Sequence, residues 1–190
     1  METSVKQKKY TYADYCSWSD GERWELIEGI PYAMSPAPSR LHQEISVGLT
    51  LMIGNFLKGS PCKLFHAPFD VRLDDYTVVQ PDLSIVYDAS KLDDRGCKGA
   101  PDLIIEILSP STARHDRITK FHQYQKADVK EYWIVDPDTK SVQIHTLSAN
   151  GIYGIVIYAE AEVAPSGILE GCKINLQELF AMEDAKWEQS

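Results

Sequence analysis

Leu103-Ile104-Ile105-Glu106-Ile107-Leu108-Ser109-Pro110-Ser111-Thr112 is an apolar run broken by one acid and followed by hydroxyl side chains. Such a run reads as a strand buried on both faces. The hydroxyls after it can accept the free amide protons of a first helical turn, so a helix is expected from there to about Lys126. Glu131 to Val135 is a second strand of the buried type. Strand, helix and strand make a crossover unit, and strands outnumber helices in the rest of the chain. The expected class is α/β in the mixed α+β sense, with a central mixed β-sheet flanked by helices.

Toward the N-terminus, Thr11 is placed to cap a short helix through Trp18, and Asp20-Gly21 marks a turn. Arg23–Gly29 and Ile30–Met34 read as short strands meeting at Gly29, and the prolines within Ser35–Ser39 close that unit. Leu41, Ile45, Leu49, Met52, Ile53 and Phe56 recur at helical spacing, so a helix with one buried stripe is expected from Arg40 to about Lys58. Strands follow at Lys63–Phe65, Phe69–Leu73 and Val78–Tyr87, then a polar loop at Asp93–Pro101. Beyond Asp136 the alternation of Val142–Leu147 and Ile152–Tyr158 around Asn150-Gly151 predicts an added C-terminal β-meander, with a last short helix at Leu176–Phe180.

The whole chain, 190 residues, fits one domain (1–190). Its 44% hydrophobic and 25% charged residues suit a soluble globular protein. No apolar run is long enough for a membrane helix, and no apolar segment follows the N-terminal lysines as a signal peptide requires. Cys16, Cys62, Cys97 and Cys172 are scattered without a C-x-x-C pair, which predicts reduced thiols and a cytoplasmic location. A net charge of −9 excludes indiscriminate coating of nucleic acid. That acidity is uneven, with seven acids against two bases from Ala159 onward, and it leaves room for a local basic patch elsewhere.

Two carboxylates stand where surface residues do not belong. Asp82 follows Pro81 inside Val78-Val79-Gln80-Pro81-Asp82-Leu83-Ser84-Ile85-Val86, and Glu106 interrupts the run quoted above. A buried carboxylate needs a partner. One partner is a basic side chain in a buried ion pair. The other is a hard divalent cation, which Asp82 and Glu106 on neighbouring strands could hold together with the Ile107 carbonyl and water. Mg²⁺ or Mn²⁺ held there would polarise a phosphodiester and help generate the attacking hydroxide.

The following helix carries Arg114, Arg117, Lys120 and Lys126 against Asp116 alone. Arg114 and Arg117 are candidate phosphate contacts. Asp116, Lys120 and Gln123 share a face at spacings of four and three. Glu28, beside Gly29, is either a third acid of the cluster or a turn carboxylate. His42 on the long helix is either a substrate contact or a structural hydrogen bonder. No zinc-ligand spacing, phosphate-cradling glycine loop or nucleophile elbow is present.

Together Glu25-Leu26-Ile27-Glu28-Gly29, His42, Gln80-Pro81-Asp82 and Glu106-Ile107-Leu108-Ser109-Pro110-Ser111-Thr112 form a pattern. With Asp116, Lys120, Tyr124 and Glu131-Tyr132-Trp133-Ile134-Val135-Asp136-Pro137, it resembles the Uma2-like family of the PD-(D/E)XK nuclease superfamily. The resemblance spans most of residues 20–140. It implies a restriction-endonuclease-like core, a DNA substrate, Mg²⁺ or Mn²⁺, and a homodimer. The lysine usual two residues after the acid is Leu108 here, and Lys120 stands as its migrated replacement. The expected catalytic residues are Asp82, Glu106 and Lys120, and the expected metal ligands are Asp82, Glu106, Ile107 and Glu28. Arg114, Arg117, His42 and Gln123 are expected to meet the substrate. The rival reading is a non-catalytic nucleic-acid or protein interaction module that keeps the nuclease fold.

Overall fold

A computed structural model describes residues 8–18, 21–34, 37–110 and 112–181. The N-terminal lysine stretch, the turn at Asp20, the proline-rich turn at Ser35, the Ser111 cap and the acidic end beyond Ala181 fall wholly or partly outside those residues. In chain order the first elements are α1 (Tyr12–Tyr15), β1 (Trp24–Ile27), β2 (Ile30–Ala33), α2 (Arg40–Phe56), β3 (Lys63–His66), β4 (Asp70–Asp74), β5 (Thr77–Val79) and β6 (Leu83–Val86). Then come β7 (Leu92–Asp93), β8 (Gly96–Lys98), β9 (Leu103–Ile107), a π-helical stretch (His115–Lys120) continuing into α3 (Phe121–Lys126), and β10 (Glu131–Asp136). The chain closes with β11 (Ser141–Leu147), β12 (Tyr153–Ala159), β13 (Val163–Pro165), β14 (Lys173–Asn175) and α4 (Leu176–Ala181). The class is mixed α+β.

The crossover unit forms as expected, with β9 and β10 parallel and Ile134 opposite Glu106. They lie in a six-stranded sheet of order β12-β11-β10-β9-β6-β3, whose β10-β11-β12 end is the anticipated meander. Side chains alternate across β9. Leu103, Ile105 and Ile107 face a core shared with α2 and α4, whereas Ile104 and Leu108 face a second core with Tyr124, Val79 and Val71. Glu106, at the same parity, looks toward that second side, where α3 and another sheet close over it.

That other sheet, also six-stranded, stands beside the expected central one. Val78–Tyr87 is not one strand but two, because Pro81 lacks an amide proton and breaks the ladder. β5 joins a sheet of order β2-β1-β5-β4-β8-β7, and β6 joins the first sheet. The segment read as a polar loop, Asp93–Pro101, contributes β8, which pairs in parallel with β4. Gly96 permits that pairing, since a Cβ there would lie 2.1 Å from the Asp70 carbonyl oxygen. The helix expected from Ser109 is also altered. Ser109 does cap a turn, accepting from the Thr112 amide at 3.3 Å, but the next stretch winds as a π-helix before tightening into α3. Among the described residues no helix is long and apolar enough to cross a membrane.

Candidate active site

The register of β6 against β9 places the two acids. Ser84 pairs with Ile104 and Leu83 with Ile105, so Asp82 comes next, opposite Glu106, on the same face. Asp82 Oδ2 accepts from the Ile107 amide at 2.8 Å and from His42 Nε2 at 3.2 Å. His42 reaches it from the first turn of α2, whose N-cap is Ser39. Burial opposes protonation of His42, but its hydrogen bond to Asp82 and that carboxylate's charge outweigh it and raise its pKa.

The wide turn between His115 and Lys120 brings Asp116, Lys120 and Tyr124, spaced four apart, against Glu106. Lys120 Nζ lies 3.0 Å from Glu106 Oε1, 2.9 Å from Glu25 Oε1 and 3.4 Å from Asp116 Oδ1. Tyr124 Oη donates to the same Glu106 oxygen at 2.6 Å. All are buried, with Lys120 at 5% exposure and Glu25, Glu106 and Asp116 at 3–4%. Burial pushes the Glu106 carboxyl well above its ordinary range, against the pull of Lys120, and Asp116, Asp82 and Glu25 add to the rise. Lys120 loses by burial and gains more from Glu106, Glu25 and Asp116, so its ammonium is held charged far above the usual lysine range. His115 Nε2 is 3.8 Å from Glu25, too far to hydrogen bond, and burial beside Lys120 lowers its pKa, which leaves it neutral.

The structure therefore brings Asp82, Glu106, Lys120, His42 and the Ile107 backbone together. It does not bring Glu28. Glu28 and Gly29 have φ of 52° and 82°, the paired left-handed conformation of a two-residue hairpin turn between β1 and β2. The Glu28 side chain points outward there, accepting from Gln123 Nε2 at 3.1 Å with Lys126 Nζ 4.0 Å away. Gln123 is thus engaged with Glu28 and not with the acids. Glu25, passed over by sequence reasoning, is the third acid, and it also accepts from the Gln80 amide at 2.9 Å. Its signal is the one that exposes Glu106, a carboxylate inside an apolar stretch, Trp24-Glu25-Leu26-Ile27. Arg114 is exposed, and Arg117 is ion-paired to Asp136 at 2.7 Å.

Comparison with known proteins bears on the family and the fold. The sequence profile of the Uma2 family, described as "Putative restriction endonuclease", matches residues 11–177. The chain belongs to the Uma2 family. An uncharacterized Synechocystis sp. protein is 27% identical over 160 residues, which is 81% of this chain and 83% of that protein. The crystal structure of a putative nuclease belonging to DUF820 from Anabaena variabilis superposes with a TM-score of 0.76 at 19% identity. It covers 90% of this chain and 98% of that one, so the Uma2 chain shares its fold over that span.

Among the described residues no three His, Cys, Asp or Glu side chains are grouped to cage an ion. The donor set has another character. Asp82 and Glu106 each use one oxygen toward protein donors, Asp82 toward the Ile107 amide and His42, and Glu106 toward Tyr124 and the ammonium it shares with Glu25 and Asp116. Two hard carboxylates completed by a backbone carbonyl and water suit Mg²⁺ or Mn²⁺ and do not suit zinc or a calcium cage. Burial opposes the charged forms of Glu106 and Asp116, and a cation of that kind is the partner that would keep such acids ionised.

Proposed function

We propose that this Uma2 chain is a metal-dependent nuclease that hydrolyses DNA phosphodiester bonds at the Asp82–Glu106–Lys120 site. The observation that carries the reading is the Lys120 ammonium, held by Glu106, Glu25 and Asp116 beside Asp82 at the end of β9. Asp82, Glu106 and the Ile107 carbonyl would hold Mg²⁺ or Mn²⁺, which when bound supplies Lewis-acid polarisation of the phosphate and a more acidic water. Lys120 is locked in its charged form, so it serves as an electrostatic donor to the negative charge that grows on the phosphoryl oxygens, and not as a proton acceptor. His42 fixes the orientation of Asp82 through their 3.2 Å contact. Arg114, exposed on the same helical segment, is the phosphate contact, with Arg117 braced by Asp136 behind it. The Lys120–Glu106 contact is also the buried ion pair that a purely structural reading anticipates, and the two roles coincide in one pair.

The test is plasmid nicking with Mg²⁺ or Mn²⁺, wild type against Asp82→Ala. Metal-dependent cleavage that survives the substitution refutes the assignment. A second readout needs no substrate: Mn²⁺ should raise the melting temperature of the wild type and do so less for Asp82→Asn.

We further propose that the protein acts as a homodimer seated on β12. That strand is the outer edge of its sheet, and Ile155, Val156 and Ile157 are 55%, 53% and 60% exposed. No charge or proline guards the edge within Tyr153–Ala159, and two copies paired antiparallel about a twofold axis would set residue i opposite j and j opposite i along it.

A further inference from the structure

An aromatic cleft adjoins the acid cluster through Gln80. It measures about 370 Å³ and is walled by the half-buried rings of Tyr12, Tyr15, Trp18 and Trp24. Trp18 lies 5.4 Å from Tyr15 and 5.9 Å from Trp24 between ring centroids, so these rings form a continuous wall. Polar contacts fix the wall in place. Tyr15 Oη donates to Asp70 Oδ1 at 3.0 Å, Gln80 Nε2 donates to the same oxygen at 2.8 Å, and Arg23 Nη2 donates to Gln80 Oε1 at 2.6 Å. Arg95 adds an exposed guanidinium to the lining.

Gln80 belongs to both places. Its side chain lines the cleft, and its amide donates to Glu25 Oε1, the oxygen that faces Lys120. Asp82 follows two residues later, with its Cα no more than about 7.6 Å from that of Gln80. A strand whose phosphate lay between Asp82 and Glu106 would have this cleft, two residues along the chain at Gln80, within reach of a neighbouring nucleotide.

We infer that this cleft stacks an unpaired nucleobase of the strand being cut, so that the preferred substrate is single-stranded or locally opened nucleic acid. The inference rests on the nuclease reading and narrows its substrate. Every base has a π face, so an aromatic wall binds bases with little sequence preference. A base inside a duplex presents no free face and must leave the stack to enter. The volume lies in the range of pockets that enclose small organic groups. The guanidiniums of Arg23 and Arg95 suit the phosphates on either side of the base. Two acids also belong to the lining, Glu22 and Asp70, and one oxygen of Asp70 is already taken by Tyr15 and Gln80.

The probe is a single-stranded DNA 12-mer carrying one 2-aminopurine, compared with the same oligonucleotide annealed into a duplex, in EDTA so that no cleavage occurs. Binding should quench the 2-aminopurine in the single strand, with affinity at least tenfold above that for the duplex. Trp18→Ala should weaken single-strand binding about tenfold, and Trp18→Phe, which keeps a ring, less than threefold. Arg95→Gln, at an exposed position, should weaken it severalfold and serves if Trp18→Ala does not fold. Equal affinity for both DNA forms, an unquenched probe, or full affinity in Trp18→Ala and Arg95→Gln would overturn the inference. Asp82-dependent plasmid nicking together with an unquenched probe would leave the nuclease reading standing and this one refuted. Quenching lost in Trp18→Ala, with no metal-dependent cleavage of any DNA, would sustain the cleft and refute the hydrolase.

Discussion

Replacing Lys120 by Met removes one ammonium and keeps an unbranched side chain of similar reach. The ammonium lies 2.9, 3.0 and 3.4 Å from three carboxylates that are almost fully buried. At an effective dielectric of about 20, each such pair near 3 Å is worth about 5 kcal/mol of Coulomb energy, most of it offset by desolvation. Breaking a buried pair by removing one partner typically costs about 3–5 kcal/mol, because the remaining charge is left uncompensated. Lys120→Met should therefore lose about 3–5 kcal/mol in urea unfolding at pH 7. For a chain of this size that is a fall of roughly 6–20 °C in melting temperature. Two further measurements identify the cause. Adding Glu25→Gln to Lys120→Met should recover part of the loss, since one orphaned charge disappears. The deficit should also shrink as pH falls, because the carboxylates left without a counter-charge take up protons more readily in the native state than in the unfolded one, and that stabilises the native state toward acid. A loss below about 1 kcal/mol, or a deficit that grows toward acid, would refute the claim that Lys120 is the counter-charge of the cluster.

Glu25→Gln should lower both stability and nicking activity, whereas Glu28→Gln, in an exposed turn, should stay within about 0.5 kcal/mol of wild type; equal effects would overturn the distinction drawn between them. His145 is buried beside Tyr132 and Phe121, and burial, with Arg117 nearby, lowers its pKa to about 4. Below an unfolded value of about 6.5 the unfolded chain binds the proton and the native chain does not, so stability falls as pH drops from about 6.5 to about 4. His145→Phe should remove about 2–4 kcal/mol of that loss, and parallel pH–stability curves for the two proteins would refute it. Val156→Lys should give a monomer in sedimentation velocity if β12 is the dimer edge; identical sedimentation of variant and wild type excludes that edge.

Glu106 and Asp82 are legible in the sequence because each violates a local rule, an acid in a fully buried run and an acid after a strand-breaking proline. Lys120 is legible by resemblance and spacing alone, since nothing in a helix pattern states how far its ammonium reaches. Glu25 obeys the same signal as Glu106 but begins a short strand, where an acid is unremarkable until Gln80 and Lys120 are brought against it from 55 and 95 residues away in the chain. The two-sheet layout is hidden for a related reason. Val78–Tyr87 has strand composition throughout, and only the missing amide of Pro81 signals that β5 and β6 part company. Short β7 and β8 carry little strand propensity; β8 exists because β4 offers it an edge, and β7 because β8 then does. The aromatic wall at Tyr12–Trp24 reads as an ordinary helix and turn, because Gln80 and Arg95 reach it from distant segments.

The charge balance of the site connects these pieces. Glu25, Glu106, Asp116 and Asp82 surround one ammonium and one imidazole, so the cluster is poorly neutralised by its own residues. Apolar replacements of such clusters are often more stable than the original, so stability alone gives little reason to keep this one. A site that is to accept a divalent cation needs acids that its own residues leave under-compensated, and here burial draws Glu106 and Asp116 toward protonation that a bound cation would reverse. Lys120 and His42 supply partial compensation, each held by a carboxylate and neither sufficient to discharge the cluster. Outside it, Arg114 is exposed on the same helical segment, where the proposed nuclease would meet a phosphate. On that reading the net charge of −9 is a poor guide to binding, because an exposed cation, Arg114, and a buried acid, Asp116, lie two residues apart on one helical segment.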